Sequence, residues 1–108
     1  MEIFTAVAAF AALAHESRLE IYRLLVEAGP QGLVVGDLAA KLNLPGATLS
    51  FHLSQLKHAG LVQARRDGRK LVQTADFERM NALMGYLTEN CCGGQSCAPK
   101  PAGKGKAA

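Results

Sequence analysis

The sequence predicts a mainly α-helical chain with one small β-hairpin, and three observations carry that prediction. Apolar residues recur at helical spacing in five segments. Asp67-Gly68 lies between two short strand-like runs, a strong hairpin signal. Glycines and prolines fall between the helical segments, at Gly29-Pro30, Pro45-Gly46 and Gly60, where helices stop.

The chain has 108 residues, enough for one domain with a modest core. No apolar run reaches the roughly 20 residues that span a bilayer. Residues 1–14 are apolar, but Glu2 and the lack of a basic leader make them a poor signal peptide. A cytoplasmic location with reduced thiols is the expectation, and no membrane partner is expected.

Residues 3–14 (IFTAVAAFAALA) form a first helix that is apolar nearly all round. A terminal helix of a lone monomer buries one face, so the rest predicts a partner subunit, with Phe4, Val7, Phe10 and Ala11 toward it. Residues 15–28 are a second helix, with Leu19, Tyr22, Leu25 and Val26 on one face and capping-box spacing at Ser17 and Glu20. Leu33-Val-Val reads as a short strand, and residues 36–43 as a short helix with Leu38 and Leu42 inward. Residues 47–59 are the fourth helix. Strands 61–66 and 70–74 are joined at Asp67-Gly68. Asp76 caps a last helix running to about Asn90, with Phe77, Met80, Leu83, Met84 and Leu87 on one stripe. The domain is expected to span residues 1–92, and residues 93–108 a flexible Gly-, Pro- and Lys-rich tail, disordered from about Pro99.

Charge is unevenly spread along the chain. Residues 1–40 carry −3, residues 41–70 carry +5, residues 71–99 carry −2 and the tail +3, which sum to the net +3. A basic middle in an otherwise acidic domain fits a polyanion contact. On the fourth helix Leu49, Leu53 and Leu56 face the core. The opposite face carries Ala47, Thr48, Ser50, Phe51, Ser54, Gln55 and His58, small and polar side chains suited to entering a major groove. Alone, that pattern is an ordinary amphipathic helix. The adjoining hairpin tip shifts the balance, because Arg65, Arg66, Arg69 and Lys70 suit a phosphate backbone. Two short helices with a tight turn, followed by a basic hairpin, make a winged helix-turn-helix, with double-stranded operator DNA as its partner. His15 reads as a helix-start residue, His52 as the edge of the buried stripe and His58 as solvated.

The three cysteines lie together, at Cys91, Cys92 and Cys97. Buried cysteines are normally scattered among apolar neighbours, so this cluster points to a soft-ligand site. As(III) and Sb(III) take three thiolates, which matches the count, whereas structural zinc takes four ligands. Zinc or cadmium would need Glu89, water or a distant donor, and Cu(I) or Hg(II) two or three of the thiols. Trivalent methylated arsenicals need only two. Cys91 and Cys92 diverge by about 100° on a regular helix, so they converge only where the helix ends. A redox switch is the second reading, with a Cys92–Cys97 disulfide easier than one between adjacent residues.

Several segments together resemble the ArsR/SmtB family of winged-helix repressors: Ala12-Leu-Ala-His-Glu-Ser-Arg-Leu-Glu-Ile21, Asp37-Leu-Ala39, Ser50-Phe-His-Leu53, Leu56-Lys-His-Ala-Gly-Leu-Val62 and Arg66-Asp-Gly-Arg69. The resemblance covers roughly residues 10–90. It implies a homodimer held by the first and last helices, the latter through Met80, Leu83, Met84 and Leu87, that releases a promoter when a metal or metalloid binds. One departure is informative. Many arsenic-sensing members have a Cys-Val-Cys before the third helix, where this chain has Val34-Val-Gly36. Its thiols stand instead at the end of the last helix, as in a subset of the family. A protein that only sequesters arsenic would have no use for the basic wing, and nothing resembles a phosphate-binding loop or an activated cysteine of an enzyme.

Overall fold

Five helices and a three-stranded antiparallel sheet build the chain in the computed structural model, which describes residues 1–94. The helices are α1 (Ile3–Leu13), α2 (Glu16–Ala28), α3 (Val35–Leu42), α4 (Gly46–His58) and α5 (Phe77–Thr88). The strands are β1 (Leu33–Val34), β2 (Val62–Asp67) and β3 (Lys70–Ala75), in the order β1-β3-β2. The mainly helical winged architecture expected from the sequence is what forms. Residues 95–108, including Cys97 and the expected tail from Pro99, lie outside the described residues.

The helix ends follow local chemistry. His15 has an extended backbone and its Nδ1 accepts from the Ser17 amide at 3.1 Å, so His15 caps α2. Ser17 is therefore inside the first turn, and the expected capping box with Glu20 is not the one used. Asp76 caps α5 as expected, its Oδ1 accepting from the Arg79 amide at 2.9 Å. α4 ends in a Schellman motif. Leu61 N–H donates to the Leu56 carbonyl and Gly60 N–H to that of Lys57, while Gly60 takes φ 78°.

The hairpin turn sits one residue later than the sequence suggests. Asp67 pairs with Lys70, so Gly68-Arg69 is the two-residue loop. Gly68 at φ 65° occupies its first central position, while Arg69 keeps a negative φ, the signature of a II′ turn. β1 pairs Leu33 with Gln73 and Val34 with Val72. Gly32 makes that pairing possible: a Cβ there would stand 2.3 Å from the Gln73 carbonyl oxygen.

The core gathers Ile21, Leu25, Leu38, Leu49, Leu56 and Leu61, all fully buried. Leu19, expected inward, is exposed and edges an open groove of about 420 Å³ with Leu24 and Leu42. α1 is turned inside out relative to a usual surface helix. Its buried residues are Ala6, Ala9 and Ala12, while Ile3, Phe4, Val7 and Phe10 face outward. The alanines let α1 lie close on the rest of the chain, and the large side chains face outward.

Candidate nucleic-acid interface and thiol cluster

α4 buries Leu49, His52, Leu53 and Leu56. Ala47, Thr48, Ser50, Phe51, Ser54, Gln55 and His58 are all exposed, so the structure brings the expected reading face together on one side. His52 sets the rotation of that helix. Its Nδ1 lies 3.3 Å from Arg18 Nη1 of α2, and its ring centroid 4.7 Å from that of His15. Arg18 Nε also donates to the Ala12 carbonyl at 2.7 Å. Because Arg18 can only donate, His52 Nδ1 accepts, and the imidazole is neutral. Burial, with the nearby His15 and Arg18, holds its pKa below the usual histidine value. Sequence reasoning missed Arg18. A lone arginine in a first helical turn looks like any solvated cation.

The wing is β2, the Gly68-Arg69 turn and β3. Arg66, Arg69 and Lys70 are exposed there. Arg65 is placed differently from the expectation of a free phosphate contact. Its guanidinium donates to the Pro30 carbonyl at 3.2 Å and the Gln31 carbonyl at 3.1 Å, tying the wing to the turn after α2. The wing also meets α5: Gln63 Nε2 donates to Asp76 Oδ2 at 2.7 Å. These hydrogen bonds, led by that from the Arg79 amide, hold the Asp76 carboxyl below its ordinary pKa. Arg79 itself lies over Gly60, with its Cζ 2.8 Å from where a Cβ would stand.

On the expected pairing face, Phe4, Val7, Phe10, Ala11, Met84 and Leu87 are exposed. Met80 is half-buried, and Leu83 is only 6% exposed because it packs into the core of the chain rather than outward.

α5 ends at Thr88, short of the expected Asn90. Glu89 turns to extended backbone (ψ 128°), and Asn90, Cys92, Gly93 and Gly94 all take positive φ. This left-handed turn brings the adjacent sulfurs side by side: Cys91 Sγ and Cys92 Sγ are 3.6 Å apart, both residues are exposed, and Cys92 is disulfide-bonded. A regular helix would have splayed them. Among the described residues no three His, Cys, Asp or Glu side chains group to hold a metal ion. Cys97, the third expected ligand, lies outside them.

The α3–turn–α4 unit backed by a β2–β3 wing defines a winged helix-turn-helix regulator. A family model described as a helix-turn-helix domain matches residues 13–63, from the end of α1 into β2. The transcriptional activator HlyU of Vibrio cholerae is 32% identical over 87 residues, covering 81% of this chain and 78% of that protein. An ArsR-like transcriptional regulator from Rhodococcus sp. RHA1 superposes with TM-score 0.67 at 30% identity, over 77% of this chain and 76% of that one. The homodimeric winged helix-turn-helix DNA-binding domain of Mb0332 from Mycobacterium bovis, a possible ArsR-family regulator, superposes with TM-score 0.64 at 26% identity, over 90% of each chain. The chain belongs to the ArsR/SmtB-like winged-helix family of transcriptional regulators.

Proposed function

We propose that the chain is a metalloid-responsive repressor: a homodimer that binds operator DNA through α4 and the wing, and lets go when As(III) binds the thiolates of Cys91, Cys92 and Cys97. Sb(III) or a trivalent organoarsenical is the alternative inducer of the same site. The observation that carries this reading is the 3.6 Å approach of Cys91 and Cys92 sulfurs just beyond α5. Two convergent sulfurs are the start of a soft trigonal site once the disulfide that Cys92 carries here is reduced, and one more thiolate completes it. Binding displaces thiol protons, so affinity should fall in acid.

The position of the thiols supports a switching role. α5 carries them at one end and, at the other, Asp76 accepts from Gln63 of the wing. A change in how the chain leaves α5 therefore bears on the helix that holds the wing. The outward Phe4, Val7, Phe10, Met84 and Leu87 support a second copy as partner, as in the homodimeric Mb0332 domain. The chain would then read two half-sites about one DNA turn apart, a spacing that tolerates little distortion. No described helix is long and apolar enough to cross a membrane. A cytoplasmic setting, with thiols reduced, fits the proposed chemistry.

The test is fluorescence polarisation of the reduced protein on its own upstream promoter DNA, with As(III), Zn(II) and peroxide added separately. Release by As(III) alone supports the metalloid reading. A redox-responsive regulator is the second reading, favoured by the disulfide bond at Cys92, and release by peroxide would select it. Release by Zn(II) or Cd(II) would point to a divalent-metal sensor. HlyU is a transcriptional activator, so the direction of control needs its own readout. A promoter–reporter fusion that rises when the gene is deleted marks a repressor.

A further inference from the structure

Phe51 is the most conspicuous apolar residue on the outward face of α4, at 58% exposure. Its helical neighbours are Ala47 and Thr48 one turn before, and Ser54 and Gln55 one turn after. Three of the four are small, so the ring stands as the high point of the face. Its direction is set from beneath. The ring packs at 58° to that of His52, centroids 5.7 Å apart. His52 in turn is held by Arg18 and His15. α4 therefore cannot roll Phe51 into the core without breaking that anchorage.

A phenyl ring carries no hydrogen-bond donor or acceptor and cannot read the polar edge of any base. Of the four bases, thymine alone offers an apolar group in the major groove, its C5-methyl. The hydroxyl and amide groups beside Phe51 suit the polar edges around it. The cations Arg66, Arg69 and Lys70 on the neighbouring wing suit the phosphates. The other outward apolar face lies on α1 and α5, away from this ring's own helix.

We infer that Phe51 is a specificity-determining residue that packs on a thymine methyl group in each operator half-site. This rests on the reading of α4 as the DNA-entering helix and adds to it the base and the group contacted.

The experiment starts from duplexes that the wild-type protein selects out of a randomised DNA library. Each thymine is then replaced singly by deoxyuridine, which keeps base pairing and loses only the methyl group. The expected result is one thymine per half-site whose replacement weakens wild-type binding roughly fourfold, the worth of one buried methyl. The same replacement should leave Phe51→Ala unaffected, and Phe51→Leu should keep part of the effect. Deoxyuridine tolerated at every position, or penalties equal in wild type and Phe51→Ala, would overturn the thymine contact while leaving DNA binding intact. Failure of the wild type to enrich any duplex would overturn the DNA reading of α4 and this inference with it. Since Phe51 lies outside the core, matching thermal melts of the variants and wild type confirm that affinity alone has changed.

Discussion

Arg18 on α2 holds His52 on α4 at 3.3 Å, and the same guanidinium holds the last turn of α1 through the Ala12 carbonyl at 2.7 Å. One side chain thus links the outward-facing first helix, the second helix and the candidate reading helix. The link requires a neutral His52.

That requirement sets a pH dependence. His52 in the folded chain has a pKa below the unfolded value. As pH falls through about 6.5, the unfolded chain takes up a proton that the folded chain refuses, so stability is full above that pH and falls below it. His52→Gln should flatten the fall between about pH 6.5 and 5 while other groups continue to titrate. Thermal midpoints of the two proteins across that range decide it. Parallel curves would mean that His52 titrates normally.

Arg18→Ala should cost about 1–3 kcal/mol in chemical denaturation, because it strands the Ala12 carbonyl and the His52 nitrogen. Arg18→Lys should recover little, since one ammonium cannot easily reach both partners in the planar geometry used here. A loss below about 0.5 kcal/mol would show the link to be incidental.

Gly32→Ala should be among the most damaging single-methyl additions. The new Cβ would collide with the backbone of β3 at Gln73, at a residue with φ 70°. A cost above about 2 kcal/mol is expected, with loss of β1 pairing. Gly36→Ala is the control: nothing lies within 4 Å of a Cβ there, and it stands inside α3. It should be neutral or stabilising by urea titration.

Phe4→Glu with Val7→Glu should convert a homodimer into a monomer, read by sedimentation, without disturbing the alanine face beneath. If the wild type is already monomeric under the same conditions, the proposed pairing surface is wrong.

The proposed As(III) switch makes a reciprocal prediction. Whatever factor As(III) takes from DNA affinity, operator DNA must take from As(III) affinity; couplings of about 1–3 kcal/mol are usual. Calorimetric As(III) titration with and without operator measures it. Identical affinities would exclude the switch, and Cys97→Ser should abolish three-thiolate binding while apo DNA binding survives.

Much of this was legible in the sequence because each feature had a local cause. Leucine spacing on α4 announces its buried stripe and hence its outward face. Asp76 announces the start of α5. What was not legible depended on contacts distant in sequence. Arg65 looks like a wing cation until the fold brings the Pro30 and Gln31 carbonyls beneath it. Leu83 shares a stripe with Met84 and Leu87, yet only the first packs into the core. The hairpin turn slipped by one residue because Asp67 pairs with Lys70 instead of turning. At the cysteines, convergence was expected only if the helix ended there, and the end of α5 at Thr88 with backbone at positive φ beyond it supplies that ending.

The inverted α1 has a consequence for dosage. A helix that offers alanines to its own chain and phenylalanines to the outside would draw stability from mass action with whatever covers it. If a second copy covers that face, each halving of the chain's abundance loosens every molecule as well as removing some. Regulation would then fall away more steeply than copy number, and the cell's expression level becomes part of the fold.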